Sequence, residues 1–240
     1  MLVRHGESLG NVAASAATLS GAEVIDVPAR DADIDLSRIG HEQAAALGSS
    51  FTKLPPSERP DIVWCSPYAR ARRTAEIIVA AAGWTVPVLA DERLRDRELG
   101  ILDMLTAEGV ELRLPEEAHR RRWLGKFYYR PPGGESWTDV ALRLRSFRSD
   151  VEQLSRGERV LVVSHDAVIL LFRYLLDGLS EQGLLDIAAT TTILNASLTR
   201  YVRAEGLGPW TLESFNVADH LMEHGVTLTE HGSDADVHPR

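Results

Sequence analysis

Short apolar and β-branched runs alternate with longer Ala- and Leu-rich amphipathic stretches along most of the chain. This is the pattern of an α/β protein, with strands covered by helices. Strands are expected at 1–3, 62–65, 86–89 and 160–163, and again at 191–194, 197–202 and 210–215. The first four are continuous apolar runs bounded by turn residues, as suits strands buried on both faces. Helices are expected over 37–53, 67–82, 136–154 and 167–176. Ser136 with Asp139 three residues later resembles a capping box. Pro67 suits a first helical turn, where a missing N–H costs nothing.

Residues 106–130 have helical propensity but are rich in Arg and aromatics, and they read as an insertion over the sheet edge. The polar tail from Thr229 onward reads as frayed. No repeat or Gly/Ser linker divides the chain. The expected division is therefore one domain over 1–222, with a cap insertion at about 104–134 and a tail at 223–240. Only three residues precede Arg4, short for a central strand, so the first strand is either clipped or begins upstream.

Composition narrows the function. Of 240 residues 44% are hydrophobic and 25% charged, which excludes disordered and low-complexity readings. The net charge of −9 disfavours a nucleic-acid binder, which needs a basic face. A single cysteine, Cys65, excludes an internal disulfide framework and a cysteine-based zinc cluster. The longest apolar stretch, 160–176, carries Ser164, His165, Asp166 and Arg173 and does not read as a membrane span. Arg4 and His5 arrive too early for a signal peptide. A cytoplasmic location is expected, with neither membrane nor nucleic-acid partners.

The chemistry concentrates at strand ends. Leu2-Val3-Arg4-His5-Gly6-Glu7 runs from an apolar strand straight into Arg-His-Gly, and Val162-Val163-Ser164-His165 is a second strand ending in histidine. Ligands of open α/β sheets bind at the carboxyl edge of the strands, so both imidazoles are expected in one crevice, with Gly6 providing the sharp turn that aims His5 inward. A lone histidine is usually structural; two at two strand exits are not so easily explained. Between them, Cys65-Ser66-Pro67-Tyr68-Ala69-Arg70 reads as a third exit opening a helix. Arg70 lies close enough to the strand end to reach the crevice, whereas Arg72 and Arg73 suit a solvated face. Arg4, Arg70 and two histidines would make a cationic pocket matched to a phosphoryl group.

These residues resemble the histidine phosphatase superfamily, whose members include cofactor-dependent phosphoglycerate mutases and fructose-2,6-bisphosphatase. The resemblance rests on Arg4-His5-Gly6-Glu7, Leu36-Ser37-x-x-Gly40-x-x-Gln43-Ala44, Ser66-Pro67-x-x-Arg70-Ala71-x-x-Thr74-Ala75, Val163-Ser164-His165 and Phe215-Asn216-x-x-x-His220-Leu221, in that order. It implies a three-layer α/β/α sandwich with a mostly parallel central sheet and a small helical cap. It also implies that His5 becomes phosphohistidine, that Arg4, Arg70 and His165 hold the phosphoryl oxygens, and that Asn11 contacts phosphate or a substrate hydroxyl. The family's general acid falls on Asp96, where these relatives usually carry Glu, and Glu98 is the alternative. Arg130, in Arg130-Pro131-Pro132-Gly133-Gly134-Glu135-Ser136, is a candidate for a second anionic group of the substrate, although the bisphosphatase has Lys where this chain has Gly133. Arg120, Arg121 and Arg122 echo the mutase lid only loosely, and Trp123, Tyr128, Tyr129 and Trp137 are expected to pack the cap.

Ser164-His165-Asp166 is no hydrolase triad, because neighbours on an extended chain point to opposite faces. His231 and His238 are too sparse and mobile for a metal site, so no metal or cofactor is expected. Three functions follow in order: a phosphomonoesterase acting on a small phosphorylated metabolite, a phosphomutase, and a phospholigand-binding protein without turnover. The sequence leaves homo-oligomerisation open.

Overall fold

The computed structural model describes residues 1–154, 157–203 and 208–231. Its sheet contains β1 (Leu2–Arg4), β2 (Ile62–Cys65), β3 (Val88–Ala90), β4 (Val160–Ser164), β5 (Leu198–Arg203) and β6 (Trp210–Val217), in the spatial order β3-β2-β4-β1-β5-β6. The first four strands run parallel to their neighbours, and β5 and β6 add an antiparallel edge. The side-chain alternation of a strand sorts the core into two layers. Val3, Val63, Cys65, Leu161 and Val163 pack with α2 (Arg38–Phe51) and α3 (Ala69–Ala81). Leu2 and Val162 face the other way, onto α6 (Trp137–Leu154), α7 (Asp166–Leu176) and α8 (Glu181–Thr190). The expected α/β/α sandwich is therefore present.

Three local expectations change. Residues 191–194 form no strand; they are an extended connection whose 192 carbonyl and 194 amide are bound by the Asn216 side chain. Pro67 precedes its helix, which begins at Ala69 with Tyr68 as the cap residue. The segment Leu9–Ser20 is a further helix, α1, whose start is fixed by a reciprocal Ser8–Asn11 capping box rather than by an apolar stripe. The insertion holds α4 (Ala107–Arg113) and α5 (Pro115–Tyr128) around a small core of Leu102, Val110, Ala118 and Tyr129. The Ser136–Asp139 pair does bond reciprocally at the start of α6.

The segment leading to His231 is not a frayed end. After α9 (Asp219–Glu223) it returns to the sheet edge, where Gln43 Nε2 donates to the Thr227 carbonyl and to Thr229 Oγ1, at 3.0 and 2.8 Å. His238 lies outside the described residues.

Candidate active site

Because β1, β2 and β4 are parallel and adjacent, their carboxyl ends deliver Arg4, His5, Ser66 and His165 to one edge. Gly6 matters here for a reason other than turning. A Cβ at Gly6 would lie 2.4 Å from the Gly40 carbonyl oxygen, and one at Gly40 would lie 2.0 Å from that of Glu7. The loop after His5 and the start of α2 touch backbone to backbone, which only glycine permits. Gly6 N–H donates to Thr74 Oγ1 and Glu7 N–H to Gln43 Oε1, so α3 and α2 each hold the loop by a side chain. From the far side the His5 carbonyl accepts from Asn195 Nδ2 at 3.1 Å and from the Ala196 amide at 3.2 Å.

His5 is buried and lines a pocket of about 360 Å³ together with Arg4, Asn11, Asp31, Arg70, Asp96, Glu98, the cap residue Lys126 and Trp137 at the start of α6. Its Nδ1 lies 2.7 Å from the Gly6 carbonyl oxygen. A carbonyl only accepts, so Nδ1 carries the proton and Nε2 is left with its lone pair. Burial, then the charges of Arg70, His165 and Arg4, hold its pKa well below the usual histidine value. The ring is thus neutral at physiological pH, the form a nucleophile requires.

The cations have distinct supports. Arg4 reaches the Ile193 carbonyl with one terminal nitrogen, while its Nε is buried without a partner among the described residues. Arg70, whose side chain is 5% exposed, donates to Asp31 through both terminal nitrogens and to Asp96 Oδ2 at 3.1 Å. His165 is fully buried, with its ring centroid 5.1 Å from that of His5. Ser66 Oγ accepts from the Tyr68 amide and lies 2.8 Å from His165 Nε2, to which its hydroxyl can donate. The ionised Asp96 carboxylate, which can only accept, faces His165 Nδ1 and favours the tautomer with the proton on that nitrogen. Nδ1 lies 3.2 Å from Asp96 Oδ2 but is not aligned as a regular hydrogen bond, a buried donor aimed at the site. Burial lowers the His165 pKa against the pull of Asp96. Asp96 itself is driven up by burial, but His165 and Arg70 prevail and hold it well below the carboxylate range.

The structure brings His5, Arg4, Arg70, Asp96, Asn11 and Glu98 to one pocket, with His165 directly behind. Asn11 accepts from the Ser8 amide, and Glu98 accepts from the Tyr68 hydroxyl at 2.6 Å. Arg130 is not brought there: its side chain is 62% exposed and is paired with Asp139 on α6. Arg122 pairs with Glu111 within the cap. Sequence reasoning passed over Asp31, Asn195 and His231. Asp31 lies in an irregular stretch without periodicity. Asn195 follows a segment misread as a strand. His231, expected to be mobile, lines the pocket, with Nε2 3.1 Å from Glu7 and Nδ1 2.7 Å from Ser15 Oγ.

The family model of the histidine phosphatase superfamily (branch 1) matches residues 1–218. The chain belongs to that superfamily. Its relatives include a 2,3-bisphosphoglycerate-dependent phosphoglycerate mutase of Methylobacterium sp., 33% identical over 62% of this chain and 72% of the relative. A 6-phosphofructo-2-kinase/fructose-2,6-bisphosphatase of Arabidopsis thaliana is 33% identical over 74% of this chain, which corresponds to 21% of that longer protein. Among solved structures, a mycobacterial glucosyl-3-phosphoglycerate phosphatase superposes with a TM-score of 0.68 at 26% identity, covering 90% of this chain and 96% of that one. Phosphatase or mutase chemistry is thus the activity class of this protein.

Proposed function

We propose that this protein is a phosphomonoesterase that hydrolyses a small phosphorylated metabolite through a phosphohistidine on His5, without a metal. The observation that carries the reading is the tautomer of His5: its Nδ1 proton is fixed on Gly6, which leaves a neutral Nε2 in a cationic pocket. Arg4 Nε, His165 Nδ1 and the Arg70 fork supply donors for the phosphoryl oxygens, and phosphoryl transfer asks mainly for such positioning and charge neutralisation. Nε2 attacks phosphorus as the ester oxygen leaves, and water then cleaves the N–P bond to return free His5 and inorganic phosphate.

The departing alkoxide needs a proton, and Asp96 is the group in place for it. In the free site Asp96 is ionised because His165 and Arg70 face it. An arriving phosphoryl dianion engages the same two partners and adds negative charge beside the carboxylate, so Asp96 takes up a proton as substrate binds. It donates that proton in the first step and recovers one from water in the second.

Mutase action is the second reading, favoured by the phosphoglycerate mutase relatives. A mutase must hold a second anionic group, and here Asp31, Glu98 and Asp103 line the pocket while Arg130 is turned away. Arg97 and Lys126 also line the pocket, so the preference for the phosphatase rests on Arg130 being turned away. Purified protein is expected to hydrolyse p-nitrophenyl phosphate equally with and without chelator, and to yield an acid-labile phosphoenzyme that His5→Ala cannot form. Isomerisation of 3-phosphoglycerate, stimulated by 2,3-bisphosphoglycerate and faster than hydrolysis, would instead establish the mutase.

A further inference from the structure

The Arg70 fork already holds an anion, one that belongs to the chain. Asp31 binds it side-on: Nη1 lies 3.0 Å from Oδ1 and Nη2 3.0 Å from Oδ2, with the Asp31 backbone carbonyl 2.7 Å from Nη1. This paired arrangement is the one through which arginine grips a phosphate. With Asp96 on the remaining side, both terminal nitrogens of Arg70 are committed. Arg70 is nevertheless part of the pocket that holds His5, and its charge reaches the His5 ring.

Resting on the phosphatase reading, we propose that Asp31 is a specificity-determining residue: its carboxylate is an internal competitor for the phosphoryl site, and a ligand binds productively only by displacing it from Arg70. The two contacts of Asp31 differ in what they allow. Its carbonyl is part of the backbone of a short helical turn, Asp31–Asp33, that packs against α3, so that contact can persist and keep Arg70 aimed. The carboxylate is 39% exposed and leaves by rotation about its own side-chain bonds into water. Acids crowd the same rim: Asp103 is pushed up from the ordinary carboxylate range, first by burial and then by the charges of Asp31 and Glu98.

Displacement sorts ligands by what they offer in return. A carboxylate or a monoanion only replaces one paired contact with another. A phosphoryl dianion also engages Arg4 and His165 Nδ1, so it gains where simpler anions do not. After hydrolysis the same competition works in reverse, with Asp31 returning to Arg70 and expelling inorganic phosphate.

The test is calorimetric binding of inorganic phosphate to wild-type protein, Asp31→Asn and Asp31→Ala, together with phosphate inhibition of p-nitrophenyl phosphate hydrolysis. Removing the competing charge is expected to tighten phosphate binding about tenfold, the scale of one charge-assisted hydrogen bond. The inhibition constant for phosphate should fall in parallel, and kcat should fall because product leaves more slowly. A residue that merely orients Arg70 would give the opposite sign, with weaker phosphate binding in both variants. Unchanged or weaker binding, or no binding by any of the three proteins, overturns the proposal. The phosphatase reading is judged separately, by whether wild-type protein turns over substrate and forms the phosphoenzyme.

Discussion

Two carboxylates meet at Arg70, and they answer to different chemistry. Asp96 lies between His165 and Arg70, where a proton is required only if the leaving group needs one. Asp96→Asn is therefore expected to lower kcat by about 10²–10⁴ for an alkyl phosphate, the usual worth of general acid catalysis. The loss should be far smaller for p-nitrophenyl phosphate, because nitrophenolate departs unprotonated. Steady-state kinetics on the two esters checks this, and equal losses would remove Asp96 from the proton-donor role. Glu98 is a weaker candidate at this scale, since it accepts from the Tyr68 hydroxyl, whose pKa is raised by burial and by Glu98 itself. Tyr68 in turn sets its ring 5.3 Å from that of His165, so the pair reads as a wall of the site.

At the scale of elements, the site depends on how closely the loop after β1 approaches α2. Gly40 meets the Glu7 backbone with no room for a side chain, while Ser37 caps α2 and also donates to Glu7 at 2.6 Å. Gly40→Ala forces the helix away from the loop and is expected to cost about 1–3 kcal/mol, the usual range of overpacking. Thermal denaturation should show a drop of several degrees, and activity at low temperature should fall as well because the His5 loop moves. A variant with unchanged melting temperature would show that the contact is slack. The motif Phe215-Asn216-x-x-x-His220-Leu221 finds its explanation at this scale too. Asn216, at a left-handed φ of 57°, binds the 192–194 connection that carries the Ile193 carbonyl facing Arg4. His220 Nε2 lies 3.0 Å from the Ala196 carbonyl, behind His5. The C-terminal motif braces the segments beside Arg4 and His5 from outside the pocket lining.

Across the whole molecule, burial of histidine sets the response to acid. His5, His165 and His220 all have pKa values lowered by burial. The unfolded chain binds protons at these sites below about 6.5 while the native state refuses them, so stability is full above that pH and declines as pH falls through it. Each such histidine contributes up to about 1.4 kcal/mol per pH unit. Asp96 acts in the same direction at lower pH: its depressed value stabilises the fold above the unfolded carboxyl pKa of about 3.9, and that contribution is lost as pH falls toward the native value. Denaturant midpoints are expected to fall between pH 6.5 and 5, and His220→Asn should flatten part of the slope. A level profile across that range would contradict the neutral, buried state of these rings.

Much of this was legible in the chain. Most strand positions apart from 191–194, the burial of β1, β2 and β4 on both faces, the cap of α2 at Ser37 and the Ser136–Asp139 box all follow from interactions between near neighbours in sequence. So does the placement of Arg4, His5 and His165 at strand ends, because parallel strands share one functional edge. The partners of those residues were not legible. That Asp31 fills the Arg70 fork, that Ile193 meets Arg4, and that the His231 segment reaches the pocket depends on which irregular loops come to rest over that edge. Such loops carry no period to read, and their positions are set by hydrogen bonds between residues far apart in the chain, formed only once both helical layers have closed on the sheet.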